Sequence, residues 1–311
     1  QEIVENFNEI SIMILGEEDG IFDSEDKIVF YARGPSGFNF TANDLEWQQN
    51  VFFDTNSCWL FIPENDSLRG KRVQQANQPD SGILIDYGLN KVHLETDLIN
   101  LEASGTEWVS SPITSGSSQS ILANLKSPKS GVNLEITLKF RGHSTTGNSS
   151  SYHSINLYNE NLNGDLLGSL NWSGNSARTL TSNTNSITLE DGINFFYLKN
   201  STTDNNSSPY LDYTEIKYGR ELELVGHYDF ISPVSDQNVR FSFLGEDDEL
   251  VFYLWDISDP ITPKFLILDN NNFCNIDVTS SNIGHFIGFN ILNTNKISNL
   301  ILKENQEFFK L

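Results

Sequence analysis

Cysteine is scarce in this chain, and the two cysteines that occur, Cys58 and Cys274, lie far apart. No C-x-x-C pair and no zinc-type spacing is present, which excludes a thioredoxin-like redox motif and a zinc finger. Both cysteines lie in apolar, strand-like sequence, SCWLF and NFCNIDV. We therefore expect two buried free thiols, with a disulfide or a nucleophile as the alternatives.

Basic residues are also few, since 19 Lys and Arg stand against 42 Asp and Glu and the net charge is −23. A surface that binds phosphates needs clustered Lys and Arg, so no nucleic acid partner is expected. An anionic membrane surface is disfavoured for the same reason. The excess of carboxylates suits a solvated surface outside the cytoplasm, or bound cations such as Ca²⁺.

Long apolar runs are missing as well. No stretch of about 18 apolar residues and no signal peptide is recognisable, so no segment of this sequence is expected to span a membrane. The chain begins QEIVENFNEI, without Met, and ends LILKENQEFFKL. Both ends read as positions inside a longer protein.

Short β-type segments separated by turns rich in Gly, Ser, Thr and Asn are abundant. The segment NLEITLKFRG alternates, with Leu134, Ile136, Leu138 and Phe140 on one face. A hairpin-like turn is expected near Gly164, and another turn at Asp191–Gly192. Short strands at this spacing predict an all-β protein with tandem β-sandwich domains, the central one jelly-roll-like.

The 311 residues suggest two or three domains. We predict an N-terminal β-rich region over 1–108, a jelly-roll-like β-sandwich over 109–222 and a smaller β-sandwich over 223–311. One short helical connector is predicted within 93–108. Its Leu94, Leu98 and Leu101 share a helical face, and Gly105 ends it.

The segment GEEDGIFDSED is the sharpest local motif. When Gly20 is aligned with the glycine of an EF-type calcium loop, four carboxylates fall at ligand positions. They are Glu17, Asp19, Asp23 and Asp26. Leu15 falls at the first position and offers no ligand oxygen. The segment is either an incomplete Ca²⁺ loop completed from elsewhere, or a turn whose Asp side chains cap backbone N–H groups.

Aromatic residues of the middle block could form a platform for a glycan. They are Tyr152, Tyr158, Trp172 and Tyr197. Aromatic side chains that alternate in strands usually belong to the core. Trp172 in LNWSGN is the one expected to be exposed, and it is the candidate ligand-binding residue.

Motifs for nucleophilic catalysis, for metalloprotease zinc and for phosphate loops are missing, so no catalytic residue is assigned. The order of several weaker motifs is more informative. They are GEEDGIFDSEDKIVFYARGP (16–35), CWLFI (58–62), GKRV (70–73), ETDLINLEASGTEW (95–108), PYLDYTEIKYGREL (209–222) and FYLWDISDPITPKFLILD (252–269). Over about residues 10–290 this string resembles the region ahead of the protease domain in gingipain-like cysteine peptidases, above all in the type IX secretion system sortase family of Bacteroidetes.

The resemblance implies that a caspase-like peptidase domain, which supplies the catalytic His and Cys, follows this region. It also implies export to the periplasm, the outer membrane or the cell surface. The implied partners are the downstream peptidase domain and type IX secretion components or cargo proteins. The expected function is that of a non-catalytic accessory region that positions the peptidase domain or docks cargo. A stand-alone adhesin or a carbohydrate-binding β-sandwich protein stays open as the alternative.

Overall fold

The computed structural model describes residues 8–21, 23–41, 43–60, 70–103, 105–147, 150–245, 251–279 and 282–297. Regular structure there is almost entirely β-strand, so the predicted all-β class is confirmed. The only helical elements among these residues are single 3-10 turns at Glu17–Asp19, Leu101–Ala103 and Ile291–Asn293. The strands, in chain order, are β1 (Ile12–Leu15), β2 (Lys27–Phe30), β3 (Gly37–Phe40), β4 (Leu45–Gln48), β5 (Gln74–Gln75), β6 (Ile83–Ile85), β7 (Tyr87–Glu95), β8 (Ile99–Asn100), β9 (Trp108–Val109), β10 (Ser118–Leu125), β11 (Leu134–Arg141), β12 (Tyr152–Asn159), β13 (Leu166–Ser173), β14 (Ala177–Thr184), β15 (Gly192–Asn200), β16 (Tyr210–Glu221), β17 (His227–Ile231), β18 (Gln237–Ser242), β19 (Phe252–Asp256), β20 (Lys264–Leu266), β21 (Phe273–Val278) and β22 (His285–Asn290).

One nine-stranded sheet runs through the molecule in the order β14-β11-β16-β7-β17-β22-β19-β20-β5. Neighbouring strands are antiparallel except for β20 and β5, which are parallel. The two ends of this sheet are each covered by a smaller sheet. The result is a pair of β-sandwiches built on one shared layer.

The central sandwich packs the four-stranded sheet β10-β15-β12-β13 against β14, β11, β16 and β7. The predicted alternation of β11 is confirmed, because Leu134, Ile136, Leu138 and Phe140 all point into this core and are fully or almost fully buried. The predicted hairpin around Gly164 is also confirmed, since it joins the paired strands β12 and β13. These two facing layers are the jelly-roll-like sandwich.

The second sandwich packs the three-stranded sheet β21-β18-β6 against β17, β22, β19 and β20. Its core centres on Phe230, whose ring centroid lies 5.3 Å from that of Phe286 and 5.4 Å from that of Phe241. The strand β6 directly precedes β7 in the chain, far from the other strands of this sandwich, and it pairs in parallel with β18. The smaller sandwich is therefore completed by a distant segment.

The opposite face of β22 and β19 is covered by the hairpin of β1 and β2. Trp255, Ile287 and Phe289 form a third apolar cluster there, and Met13 and Val29 of the hairpin pack on it. Trp255 and Phe289 meet edge to face with ring centroids 5.2 Å apart. This packing places the residues that follow β2 beside the sheet.

The segment predicted as a helical connector is different in the structure. Leu94 lies in β7, and the next ordered elements are the two-residue strands β8 and β9, with the 3-10 turn Leu101–Ala103 between them. The helix prediction for 93–108 is wrong because its first residues belong to β7, which pairs with β16 from Tyr87–Glu221 to Glu95–Tyr213, and Ile99–Asn100 then pairs with Trp108–Val109. Pairing over that length outweighs a local three-leucine pattern.

The domain boundaries at 108 and 222 stay predictions. The nine-stranded sheet crosses both, because β7 pairs with β16 on one side and with β17 on the other. Among the described residues, no helix is long and apolar enough to cross a membrane.

Candidate functional site

The acidic turn of residues 16–26 uses three of its carboxylates to cap its own backbone. Asp19 and Asp23 each accept a hydrogen bond from the backbone N–H two residues later, at 2.8 Å in both cases. Asp26 accepts from the backbone N–H of Asp23 at 2.9 Å. Such short-range bonds are how Asp side chains stabilise turns, as the alternative reading of this motif expects.

The fourth carboxylate of the predicted calcium loop has a different partner. Glu17 Oε2 lies 3.1 Å from Arg72 Nη2 and 3.3 Å from Arg72 Nε. Over the described ranges, no group of three or more His, Cys, Asp or Glu side chains is arranged to hold a metal ion. The Ca²⁺ site at Glu17, Asp19, Asp23 and Asp26 stays a prediction.

Trp172 lies in the core of the central sandwich, with only 6% of its surface exposed. Its ring centroid is 4.7 Å from that of His153, its cross-strand neighbour, and 6.1 Å from that of Phe140. The expectation of an exposed Trp172 is wrong, because this position of β13 faces inward between the two layers. A direct contact between its indole and a ligand has no support from this placement.

The outer face of the four-stranded sheet carries other aromatic residues. Tyr197 of β15 pairs with Tyr158 of β12, and the neighbouring Phe195 pairs with Leu122 of β10. Phe195 and Leu122 are 43% and 53% exposed. Aromatic side chains of this block do lie on the surface, as Phe195 does, but Trp172 is not one of them.

The two cysteines differ in their surroundings. Cys274 is buried as predicted, and its burial raises the pKa of its thiol to about 12, with a further contribution from Asp269. Cys58 is exposed, so the prediction of a buried thiol is wrong there. The reason is that residues 51–60 form no strand and are exposed throughout. Both cysteines are free thiols.

A cleft opens between the sheet and the segment that leads from β2 into the hairpin of β3 and β4. We call it the Arg33 cleft. A cavity of about 540 Å³ adjoins one of about 280 Å³, and both are lined by Tyr31, Arg33, Phe38, Asn39 and His285. Cavities of roughly 300–1,000 Å³ are typical of small-molecule sites.

The wall of the cleft on the sheet side is formed by β17 and β22. Alternation along β17 turns His227 and Asp229 to the face opposite the buried Phe230. Nε2 of His285 in β22 lies 2.8 Å from Oδ2 of Asp229. No sequence motif identified these residues. The one available signal is the alternation of His227 and Asp229 with Tyr228 and Phe230 in HYDF.

Tyr31 stands at the junction of the cleft and the third apolar cluster. Burial and the nearby charge of Asp229 raise the pKa of Tyr31 to about 12, although Arg33 acts in the opposite direction. The phenol therefore keeps its proton at neutral pH and is available as a hydrogen-bond donor.

The other side of the β3–β4 hairpin is held on the sheet by a charged cluster, which we call the His93 cluster. Trp47 of β4 stacks on His93 of β7, with ring centroids 4.3 Å apart and ring planes within 5°. His93 Nδ1 lies 3.4 Å from Glu215 Oε1, and Nε2 lies 3.3 Å from Glu95 Oε2. The His93 side chain is only 4% exposed, so these carboxylates are its immediate polar surroundings.

Lysine side chains complete the cluster. Lys91 Nζ lies 2.9 Å from Glu215 Oε2 and donates to the backbone carbonyl of Leu45 in β4 at 2.7 Å. Lys217 Nζ lies 2.9 Å from Oδ1 of Asp44, just ahead of β4. These bonds join the hairpin to β7 and β16.

The environment of the cluster shifts its pKa values. Burial alone lowers the pKa of His93, but the hydrogen bonds to Glu215 and Glu95 outweigh it, and the pKa is raised. Burial alone raises the pKa of Glu215, but the bonds from His93 and Lys91 outweigh it, and the pKa is lowered. The cluster therefore favours a protonated His93 beside an ionised Glu215.

No family model and no curated protein matches the chain. Among solved structures, the dimeric latent form of PorU from Porphyromonas gingivalis superposes with a TM-score of 0.67 at 14% identity, covering 91% of this chain and 27% of that one. A family 36 carbohydrate-binding module of a xylanase from the hindgut metagenome of Trinervitermes trinervoides covers 41% of this chain and 96% of its own, with a TM-score of 0.27 at 16% identity. A TM-score this low establishes no shared fold. The chain therefore has the fold of one part of PorU, and it spans about a quarter of that protein's length.

Proposed function

We propose that this chain is a non-catalytic accessory region of an exported peptidase of the gingipain-like or type IX secretion sortase type. It positions the downstream peptidase domain or docks cargo and secretion components, at the periplasmic or outer-membrane surface. The observation that carries the proposal is the superposition on PorU over 91% of the chain. The ordered motifs between about residues 10 and 290 support the same assignment.

The shared sheet suits a positioning role. Because β7 is hydrogen-bonded to both β16 and β17, backbone pairing links the two sandwiches directly. Two modules joined only by a flexible linker would sample many relative orientations. A continuous sheet restricts those orientations and can hold a neighbouring domain at a defined distance.

The size of the natural polypeptide tests this proposal. An antibody raised against this 35.1 kDa chain is used to probe extracts and membrane fractions of the source cells. We expect a species far larger than 35.1 kDa in the envelope fraction, because the proposal requires a peptidase domain in the same polypeptide. A species near 35.1 kDa with no larger precursor in pulse-labelled cells contradicts it.

A natural polypeptide near 35.1 kDa favours a stand-alone carbohydrate-binding protein. The observation behind this alternative is the outer face of the four-stranded sheet, where Tyr158, Tyr197 and Phe195 lie side by side. Aromatic faces on a sheet provide flat apolar surfaces with polar edges, and Asn156 adds amide groups, with its Nδ2 3.3 Å from Tyr158 Oη. This face, rather than Trp172, is the place where a glycan would bind.

Calcium binding is a separable part of the proposal. If Glu17, Asp19, Asp23 and Asp26 hold Ca²⁺ with a ligand from another loop, the melting temperature is higher in calcium than in chelator, because the ion binds only the folded state. An increase that disappears in Asp23→Ala supports the site. Identical melting curves in calcium and chelator rule out the calcium site and leave Asp19, Asp23 and Asp26 as caps of the turn.

A further inference from the structure

The charge of the Arg33 cleft differs from that of the whole protein. Arg33, His227 and His285 line it together with a single carboxylate, Asp229, whereas the chain carries a net charge of −23. Asp229 already has a partner in His285. Among the described residues, no carboxylate lies within ion-pairing distance of Arg33.

The Arg33 side chain is exposed on the wall of the cleft. Its Nη1 donates to the side-chain oxygen of Asn39, and its backbone carbonyl accepts a hydrogen bond from Asn56 Nδ2 at 3.1 Å. A guanidinium has five N–H donors in a planar arrangement that matches the two oxygens of a carboxylate. With Asn39 engaging one nitrogen, the remaining donors can reach an anionic ligand.

Tyr31 and the aromatic wall define the rest of the ligand. The protonated phenol of Tyr31 is a donor beside Arg33, so two donors of different side chains lie on the same wall. Phe38 and Trp47 meet edge to face, with ring centroids 5.1 Å apart, and line the larger cavity. An acid group with a short organic body matches this combination of donors, apolar surface and volume.

We propose that the Arg33 cleft is a binding site for a carboxylate-bearing ligand. Arg33 and Tyr31 contact the carboxylate, and Phe38 and Trp47 contact the adjoining part of the molecule. A peptide terminus and a uronic acid share this chemistry. The site goes beyond the accessory function proposed above and does not depend on it, because all of its residues belong to this chain.

Calorimetric titration of the full chain tests the site with matched probes. The peptide probes are acetyl-Ala-Phe-Ala with a free carboxylate and the same peptide with a terminal amide. The sugar probes are galacturonate and galactose. We expect an acid probe to bind at least about tenfold more tightly than its neutral analogue, because its carboxylate can accept charge-assisted hydrogen bonds from Arg33.

Single substitutions distinguish a loss of ligand binding at the Arg33 cleft from a loss of folding. Arg33→Gln removes the guanidinium and is expected to weaken the acid probe about tenfold, while Tyr31→Phe keeps the packed ring and weakens binding less. Arg178→Gln on β14 is the matched control, since Arg178 is exposed and its Nη1 donates to the backbone carbonyl of Ala177 in the same strand. All three variants should melt within a few degrees of the parent.

The pattern across the probes decides the proposal. Arg33-dependent binding of the peptide acid or of galacturonate supports it, and the acid that binds identifies the source of the carboxylate. Equal binding of acid and neutral probes overturns it. Binding that survives Arg33→Gln, or no saturable binding of either acid up to about 10 mM, overturns it as well.

Discussion

Trp172→Ala lowers the free energy of unfolding by about 3–5 kcal/mol, the range for removing a large aromatic side chain from a packed core. Trp172 is 6% exposed and fills the space between the two layers of the central sandwich beside His153 and Phe140. Burial also lowers the pKa of His153, which favours a neutral imidazole beside the cavity that the substitution leaves. Urea denaturation of both proteins, fitted with a common slope, measures the difference.

Tyr152→Ala is the control for this prediction. Tyr152 lies next to His153 on β12 but faces outward and is 47% exposed. Its removal should change stability by less than about 1 kcal/mol. If Trp172→Ala were as mild as Tyr152→Ala, the inward orientation of β13 described here would be incorrect, and Trp172 would again be a candidate for ligand contact.

Glu215→Gln lowers the free energy of unfolding by about 2 kcal/mol near pH 6, because it leaves His93 and Lys91 without their shared partner. The substitution keeps the shape of the side chain and removes its charge. The size of the effect is kept below that of a fully buried pair because the Glu215 side chain is 13% exposed. Glu46→Gln is the matched control, since Glu46 lies in β4 and is exposed.

The pH dependence of this difference follows from the two shifted groups. The pKa of His93 is raised above 6.5, so its stabilising contribution is complete below that value and is lost as the pH rises through the folded-state pKa. The pKa of Glu215 is lowered below 4.5, so its contribution is complete above that value and is lost as the pH falls through the folded-state pKa. The destabilisation caused by Glu215→Gln should therefore be greatest between pH 4.5 and 6.5.

Other titratable groups surround His93, and all of them are present in both proteins. They are Lys91, Glu95 and Asp97 on or after β7, Tyr213 and Lys217 on β16, and Asp44 ahead of β4. Burial and the charge of Glu95 raise the pKa of Asp97, which acts in the sense opposite to Glu215. Subtracting the two unfolding curves at each pH removes the contributions that do not involve Glu215. Because Glu215 and His93 titrate at different pH values, the difference in free energy of unfolding between the two proteins should vary between pH 4 and 9. A constant difference contradicts the proposed His93–Glu215 pairing.

Local patterns predicted those parts of the fold that depend on residues close in sequence. The alternation from Leu134 to Phe140 identified β11 and its buried face, and the turn around Gly164 identified the hairpin of β12 and β13. Both signals are local, because a strand face repeats every two residues and a hairpin turn follows from a few residues. The all-β class follows from the sum of such signals.

The errors occurred where distant residues decide the structure. The leucines of 94–101 have helical spacing, yet this segment extends from a strand that pairs with β16, more than a hundred residues later. Trp172 precedes a turn, but its cross-strand partner His153 shows that it points inward. The Arg33 cleft joins residue 33 to residues 227–229 and 285, and no sequence pattern brings these positions together.

The position of β7 in the middle of the shared sheet limits how the chain can be divided. A fragment that begins after residue 108 lacks β7, so β16 loses its neighbour along nine residues and β17 loses its pairing at Ile231. Unpaired N–H and C=O groups along a twelve-residue strand such as β16 are a template for pairing with another molecule. We therefore expect such a fragment to self-associate through its exposed strand edges rather than to lose its secondary structure.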